Sequence, residues 1–211
     1  MHETIKEIIK RKKKETRLIV GIFGSPGSGK STFSGNLNRE LNKIDGLMSK
    51  VVPMDGFHFD NKILADRNML QFKGSPETFD TNGFISLLAK LQQQPETDHV
   101  IPIFDRELDL SRASARLIEK STNILLIEGN YLMLNQAPWN RLQMFFDLTI
   151  KIESDRRILK DRLLKRWLDL GISKDQASEK IKQNDLPNSD LVENLSMPAD
   201  LYVQPTFQKL A

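Results

Sequence analysis

Residues 24–31 combine glycines, a lysine and a hydroxyl in the order that a phosphate-binding loop requires. They read Gly24-Ser25-Pro26-Gly27-Ser28-Gly29-Lys30-Ser31 and match G-x-x-x-x-G-K-[ST] at every fixed position. Glycines let the backbone turn successive N–H groups toward an anion. The lysine can reach the terminal phosphates, and the serine hydroxyl can ligate Mg²⁺. We therefore expect residues 24–32, ending at Thr32, to bind a nucleoside triphosphate together with Mg²⁺.

Two acidic residues stand at the ends of apolar runs that are typical of buried strands. Glu128 ends the run 123–127, and Asp55 follows the run 50–54. Ligands of parallel sheets bind at the carboxyl ends of the strands. We expect Glu128 to hold Mg²⁺ with Ser31, although a solvated strand end would look the same. We expect the run 50–54 to lie next to the run 18–23 in the sheet, and Asp55 is placed to accept the proton of an attacking hydroxyl.

Residues after the second and third apolar runs are candidates for contacts with a phosphate acceptor. Phe57 and His58 follow the run 50–54, and Asp105 and Arg106 follow the run 99–104. Such groups can pack against or hydrogen-bond a polyol, a sugar or a carboxylate. A charged turn with internal salt bridges explains Asp105 and Arg106 equally well, and a lone histidine is often only a packed surface residue.

An arginine-rich segment, 154–170, has a helical pattern. Arg162 and Arg166 are four residues apart and share one face of such a helix. A guanidinium group that closes over a transferring phosphate would spread its charge. The competing interpretation is a solvated helix whose arginines pair with its own aspartates. We expect one of these arginines, but not all of them, to act in catalysis.

The elements that must position these residues alternate along the chain. Predicted strands are 18–23, 50–54, 99–104, 123–127, 146–152 and a shorter 199–203, and predicted helices are 31–43, 82–93, 112–120, 154–170 and 174–183. This alternation predicts the α/β class, with a mostly parallel, five-stranded, doubly wound sheet flanked by helices. The stretch 60–80 is the least regular, and a loop of that length is typically functional.

The positive charge of the chain is concentrated at its N-terminus. Residues 1–17 carry a net charge of +4, whereas the remaining residues carry −1. Ile5, Ile8 and Ile9 form a narrow apolar stripe, which predicts a helix packed on one domain spanning 18–211. A solvated charged face is favoured over a nucleic-acid or membrane contact.

The rest of the composition excludes other classes of protein. The chain has 211 residues, no cysteine and no apolar run near the length of a membrane span. These features exclude disulfides and thiolate metal sites, and we expect a cytoplasmic protein with no membrane partner. Residues 18–211, with a net charge of −1, offer too little basic surface for a nucleic-acid partner.

Together these segments resemble the P-loop kinases that include uridine kinase, bacterial pantothenate kinase and phosphoribulokinase. The motifs that carry the resemblance are 24–31, 55–57, 103–106, 128–131 and the arginine helix. Within that group, the segments 54–58, 73–80, 128–132 and 184–188 look like a branch whose members are called nucleoside or nucleotide kinase-like, pantothenate kinase-like or fructokinase-like. The neighbours of Asp105 and Arg106 differ from the uridine kinase pattern.

The resemblance implies a role for each matching residue. Asp55 matches the catalytic base and Glu128 the acidic residue that ends the Walker B strand. Arg162 and Arg166 match lid arginines, so that the lid would span about 154–188. Tyr131 falls in a matching motif and is a candidate substrate contact. The region 184–188 is a candidate for adenine contacts, and dimers are common among such kinases.

Two functions from different classes remain open at this point. The first is an ATP-dependent kinase that phosphorylates a hydroxyl of a small metabolite, namely a nucleoside, a pantothenate-like acid or a sugar. The second is an NTP-hydrolysing switch whose nucleotide state controls a partner protein. Two carboxylates at strand ends and an arginine helix favour the kinase.

Overall fold

The computed structural model describes residues 1–13, 16–94 and 96–204. The predicted ranges 1–17 and 18–211 each include some residues outside this set. The helices are α1 His2–Arg11, α2 Lys30–Leu41, α3 Asn61–Asp66, α4 Thr81–Gln93, α5 Arg156–Asp169, α6 Lys174–Lys180 and α7 Leu186–Leu195. The strands are β1 Leu18–Phe23, β2 Ser49–Pro53, β3 His99–Asp105, β4 Leu110–Ile118, β5 Ile124–Gly129, β6 Leu148–Ile152 and β7 Leu201–Val203.

Five strands form a parallel sheet in the order β2-β5-β1-β6-β7. Apolar residues of β1 alternate between two buried clusters, with Ile19 and Phe23 on one side and Val20 and Ile22 on the other. Both faces of the sheet are therefore covered, as in a doubly wound α/β fold. The predicted α/β class and the parallel five-stranded sheet are confirmed.

The third predicted strand lies outside this sheet, and the prediction that β2 neighbours β1 is wrong. β3 pairs with β4 in a separate antiparallel hairpin, and the short β7 supplies the fifth strand of the parallel sheet. Strand β5 lies between β2 and β1. A strand order of this kind depends on long-range packing, which strand patterns alone do not encode.

The predicted helix 112–120 is also wrong, because these residues lie largely in β4. Alanine and arginine favour a helix, but the cross-strand pairing of β4 with β3 overrides that weak preference. Ile118 pairs opposite His99 and is fully buried in the core together with Ile101. Burial of the hairpin's apolar end thus decides the conformation.

The N-terminal helix α1 packs on the sheet-and-helix core. Ile8 is fully buried in the cluster that contains Val20 and Leu148. Arg11 donates hydrogen bonds to the Asp147 carbonyl at 2.6 Å and to the Asp200 carboxylate at 3.2 Å. In the described part of the chain, no helix combines the length and apolar character needed to cross a membrane.

Candidate active site

The loop between β1 and α2 has the backbone shape that its glycines allow. Gly24, Gly27 and Gly29 have φ angles of 150°, 78° and 96°, which side chains rarely tolerate. A Cβ atom at Gly24 would lie 2.4 Å from the carbonyl oxygen of Ile152. The loop then leads directly into the N-terminus of α2, which favours an anion through its free N–H groups and its dipole.

The other residues of this loop are largely buried. Pro26 and Ser28 are buried, whereas Thr32 is exposed on the first turn of α2. The hydroxyl of Ser25 donates a 2.7 Å hydrogen bond to the carboxylate of Glu193 on α7. The hydrogen bond to α7 therefore holds the loop in place.

Lys30 is the buried cation of the site. Its side chain is only 7% exposed, and its ammonium group donates to the carbonyl oxygen of Ser25 at 3.0 Å. Burial lowers the pKa of Lys30 to about 8, while the charges of Glu128 and Asp55 act in the opposite direction. The Lys30 ammonium thus lies near the carboxylates of Glu128 and Asp55 but forms an ion-pair contact with neither of them.

Ser31 and Glu128 meet at the mouth of the loop. The Ser31 hydroxyl donates to Glu128 Oε1 at 3.0 Å. Glu128 is buried on β5, and burial raises its pKa, as does the nearby charge of Asp55. A hydroxyl and a carboxylate oxygen side by side form the donor set that suits Mg²⁺ in a nucleotide site, where phosphates and water supply the other ligands.

Asp55 forms an ion pair with Arg106. The guanidinium Nη2 donates to Asp55 Oδ2 at 2.9 Å, and the arginine side chain is 47% exposed. Asp55 lies in the short 3₁₀ segment Met54–Phe57 that follows β2, and Arg106 follows β3 of the hairpin. The hairpin therefore places a partly exposed cation in direct contact with the candidate base.

Two other predicted acceptor contacts pack into the protein beside Asp55. The ring of His58 lies against Phe79 and Phe104, with centroid distances of 4.0 Å and 4.6 Å. Its Nδ1 is 2.8 Å from the Asp55 carbonyl oxygen, and burial lowers its pKa. Phe57 packs against Phe84 at a centroid distance of 5.0 Å. Both rings thus support the segment that carries Asp55.

Asp105 stabilises the turn of the hairpin. Its carboxylate accepts hydrogen bonds from the backbone N–H groups of Glu107 and Leu108, both at 3.2 Å. It also forms an ion pair with Arg112 across the hairpin at 3.2 Å. These contacts of Asp105 are those of a charged turn with internal salt bridges, which was the alternative to a contact with the phosphate acceptor.

The arginine helix α5 contacts the phosphate-binding loop directly. Arg162 donates to the carbonyl oxygens of Gly27 and Ser28 at 3.3 Å and 3.1 Å. One turn later, burial of the guanidinium lowers the pKa of Arg166, as does the charge of Arg106, whereas the charges of Asp185 and Asp55 act in the opposite direction. The two arginines thus differ, because one touches the loop backbone and the other faces the charged groups of the site.

Residues 73–74 contact two segments that are distant from them in the sequence. Tyr131 is fully buried, and its hydroxyl donates to the Gly74 carbonyl oxygen at 2.5 Å. The amide of Asn184 donates to the Lys73 carbonyl oxygen at 2.8 Å and accepts a hydrogen bond from Asn188 at 3.0 Å. Residues 181–185 form a short π-helical segment, a feature often found at functional sites.

The carboxyl ends of β2, β3 and β5 and the start of α2 line a cleft of about 170 Å³. It gathers Asp55 and Arg106 with Ser31 and Glu128, close to Lys30. The side chains of Phe57, His58, Asp105 and Tyr131 do not line this cleft. For Tyr131 the prediction of a substrate contact is not supported by its position, because the side chain is closed off in the core.

A second, larger cavity adjoins this cleft and was not predicted from the sequence. Its volume is about 430 Å³, and it shares Ser31, Pro53 and Glu128 with the cleft. Lys50 of β2 and Arg116 of β4 bring positive charge to it. Alternation along a strand over 110–118 places Arg112, Ser114 and Arg116 on one face. The predicted helix 112–120 does not align these residues and therefore gives no indication of the cavity.

Comparison with known proteins gives a family match over almost the whole chain. Residues 19–206 match the model of the Phosphoribulokinase / Uridine kinase family. A Schizosaccharomyces pombe protein named "Putative uridine kinase C227.14" is 30% identical over 91% of this chain and 85% of its own length. Pantothenate kinase of Streptococcus mutans is 32% identical over 72% of this chain and 50% of its own length.

A solved structure supports the same relationship. A protein from Silicibacter sp. TM1040, described as a "putative fructose transport system kinase", is 38% identical. The match covers 95% of this chain and 97% of that one, with a TM-score of 0.90. That structure shares the fold of this chain, and the names of the three proteins refer to different substrates.

Proposed function

We propose that this chain, which belongs to the phosphoribulokinase/uridine kinase family, transfers the γ-phosphoryl group of Mg·ATP to a hydroxyl of a small metabolite. The family makes the protein an ATP-dependent small-molecule kinase. The observation that carries the finer proposal is the cleft in which Asp55 lies together with Ser31 and Glu128. A base and a metal-binding pair in one cleft can bring an acceptor hydroxyl to the γ-phosphate.

The loop and the start of α2 would hold the triphosphate. Backbone N–H groups of residues 24–32 donate to the β- and γ-phosphates, and Lys30 neutralises their charge. Ser31 and Glu128 would hold Mg²⁺, which supplies further charge neutralisation when it is bound. Arg166 faces the same charged groups and is the better candidate for contact with the transferring phosphate, whereas Arg162 orients the loop through its carbonyl oxygens.

Asp55 would act as the base. Its carboxylate accepts the proton of the acceptor hydroxyl, the hydroxyl oxygen forms a bond to the γ-phosphorus, and the bond between that phosphorus and the bridging oxygen of ADP breaks. Arg106 occupies Oδ2 of this carboxylate, which leaves Oδ1 for the acceptor hydroxyl, and opening of the ion pair would release the guanidinium. The released guanidinium can then bind a phosphate oxygen.

The segment 154–188 would serve as the lid of the site. It carries Arg162 and Arg166, and it touches both the phosphate loop and the Lys73 carbonyl oxygen. Exclusion of water by such a segment would favour transfer to the acceptor over hydrolysis. Asn184 and Asn188 would hold the lid against residues 73–74 rather than reach adenine.

Transfer of a radioactive label tests the proposal. The protein is incubated with ATP labelled at the γ-phosphate, Mg²⁺ and separate acceptors: nucleosides, pantothenate and simple sugars. We expect the label in one acceptor class, with a loss of about 10²- to 10⁴-fold in Asp55→Asn. Asp60→Asn is the matched control, because Asp60 is exposed and only caps α3. Label found only in inorganic phosphate would instead indicate a hydrolysing switch.

A further inference from the structure

The 430 Å³ cavity beside the proposed reaction cleft has the size and the lining of a ligand site. Small-molecule sites typically measure 300–1,000 Å³. One wall is a face of α2 that includes Ser34, Gly35 and Asn38, and the opposite wall is the edge strand β2 with Lys50. A Cβ atom placed on Gly35 would have no neighbour within 4 Å, so this wall leaves open space.

The charge of the cavity is positive. Lys50 and Arg116 contribute two cations, and of the described lining residues Glu128 alone is acidic. Oε1 of the Glu128 carboxylate accepts a hydrogen bond from the Ser31 hydroxyl. The partner of Lys50 is Glu119, an ion pair at 3.3 Å whose side chains are both about 40% exposed, and an exposed pair of this kind is weak.

Arg116 is the half-buried group of this wall. Its Nη1 donates to the Val51 carbonyl oxygen at 2.8 Å, which fixes the guanidinium at the free edge of β2. Its remaining N–H groups form no hydrogen bond with the described residues. A guanidinium held by one contact, with donors left over, is suited to a carboxylate or a phosphate oxygen.

We propose that this cavity receives an anionic group, a carboxylate or a phosphate monoester, carried by the acceptor that the adjoining cleft phosphorylates. The inference rests on the proposed function, because the cavity and the cleft share Ser31, Pro53 and Glu128. An acceptor anchored at Arg116 and Lys50 would place its hydroxyl toward the cleft. Acceptors without a negative group would lack this anchor.

Matched pairs of acceptors test the inference and separate the two sources of negative charge. Pantothenate is compared with pantothenol and D-glycerate with glycerol for the carboxylate, and fructose 1-phosphate with fructose for the phosphate monoester. We expect turnover of the anionic member of one pair and at least tenfold weaker kcat/KM for its neutral counterpart. Equal turnover of the charged and neutral members would overturn the inference.

Variants show whether the named cations are responsible. Arg116→Met is expected to raise the KM of the anionic acceptor at least tenfold with a smaller change in kcat, and Arg116→Lys to restore part of the loss. Lys50→Met tests the same site without touching the Val51 contact. The control is Arg39→Met, an exposed arginine of α2 outside the cavity. An unchanged KM in both cavity variants would contradict the inference.

A binding measurement keeps failure of this inference apart from failure of the proposed function. The same compounds are titrated calorimetrically into protein saturated with Mg·ADP, so that the phosphate loop is occupied. Binding of an anionic compound that Arg116→Met abolishes would support the anion site, even if no compound is phosphorylated. Absence of any such binding would overturn it.

Discussion

Replacement of Lys30 by methionine is expected to stabilise the protein while weakening its hold on nucleotide. The Lys30 ammonium is buried, and among the described residues it donates a hydrogen bond only to the Ser25 carbonyl oxygen. The charges of Glu128 and Asp55 offset only part of the desolvation and neither carboxylate contacts the ammonium, so the phosphate loop holds a desolvated cation in position for a phosphate. Methionine has a similar length and no charge, so that it fills the same space without the cost of desolvation.

The magnitude follows from the pKa of Lys30. A lowering from 10.5 to about 8 corresponds to about 3 kcal/mol at neutral pH, where the lysine is charged in both the folded and the unfolded chain. Loss of the hydrogen bond to Ser25 offsets about 1 kcal/mol of this gain. The free energy of unfolding should therefore rise by about 2 kcal/mol in Lys30→Met at pH 7.

The advantage of the variant should shrink as the pH rises. Because the folded pKa is lowered, the unfolded chain binds more protons than the folded one between pH 8 and 10.5, and the wild-type protein gains stability there. By pH 9 this gain amounts to about 1.4 kcal/mol. The difference in the free energy of unfolding between variant and wild type should narrow by that amount between pH 7 and 9.

Urea unfolding at pH 7 and pH 9 measures both effects. Lys43→Met is the control, since Lys43 is an exposed lysine in the turn that follows the same helix. The affinity for Mg·ADP, measured by calorimetry at pH 7, should fall about 10- to 100-fold in Lys30→Met and stay unchanged in the control. A variant less stable than wild type at pH 7, or a gap that stays constant to pH 9, would refute the reasoning.

Three further predictions concern the loop, the lid and the base. Gly24→Ala should destabilise the protein by about 1–3 kcal/mol and abolish ADP binding, because its Cβ would lie 2.4 Å from a β6 carbonyl oxygen; normal binding would contradict this. Trp167→Phe removes the 2.7 Å hydrogen bond to buried Asp185 and should lower the free energy of unfolding, measured with urea, by about 1–3 kcal/mol. A decrease below about 0.5 kcal/mol would contradict a stabilising role of this hydrogen bond. Arg106→Gln removes the half-exposed ion pair of Asp55 together with the guanidinium that we propose to bind a phosphate oxygen, and should lower the acceptor-stimulated kcat about tenfold; an unchanged kcat would contradict a phosphate contact of Arg106.

The sequence was most informative where function depends on neighbouring residues. The segment 24–31 carries its own geometry, because its glycines and the following helix are contiguous in the chain. Both Asp55 and Arg106 were candidates, but their ion pair was not foreseen. That contact joins the end of β2 to a hairpin that the sequence pattern did not reveal.

The missed features depend on contacts between distant segments. Arg116 was assigned to a helix, so its position opposite β2 was not predictable. Tyr131 lies in a matching motif, yet packing of its ring against Phe79 and Trp139 turns it into the core. Burial and strand order are decided by the whole chain, and a local pattern does not contain them.

The most direct test of the kinase assignment is ADP release by the purified protein with Mg·ATP, with and without each acceptor. The account predicts slow release alone and strong stimulation by one class of hydroxyl-bearing metabolite. Stimulation should disappear in Asp55→Asn while Mg·ATP still binds. Slow release that no acceptor stimulates would contradict the account and favour a nucleotide-hydrolysing switch.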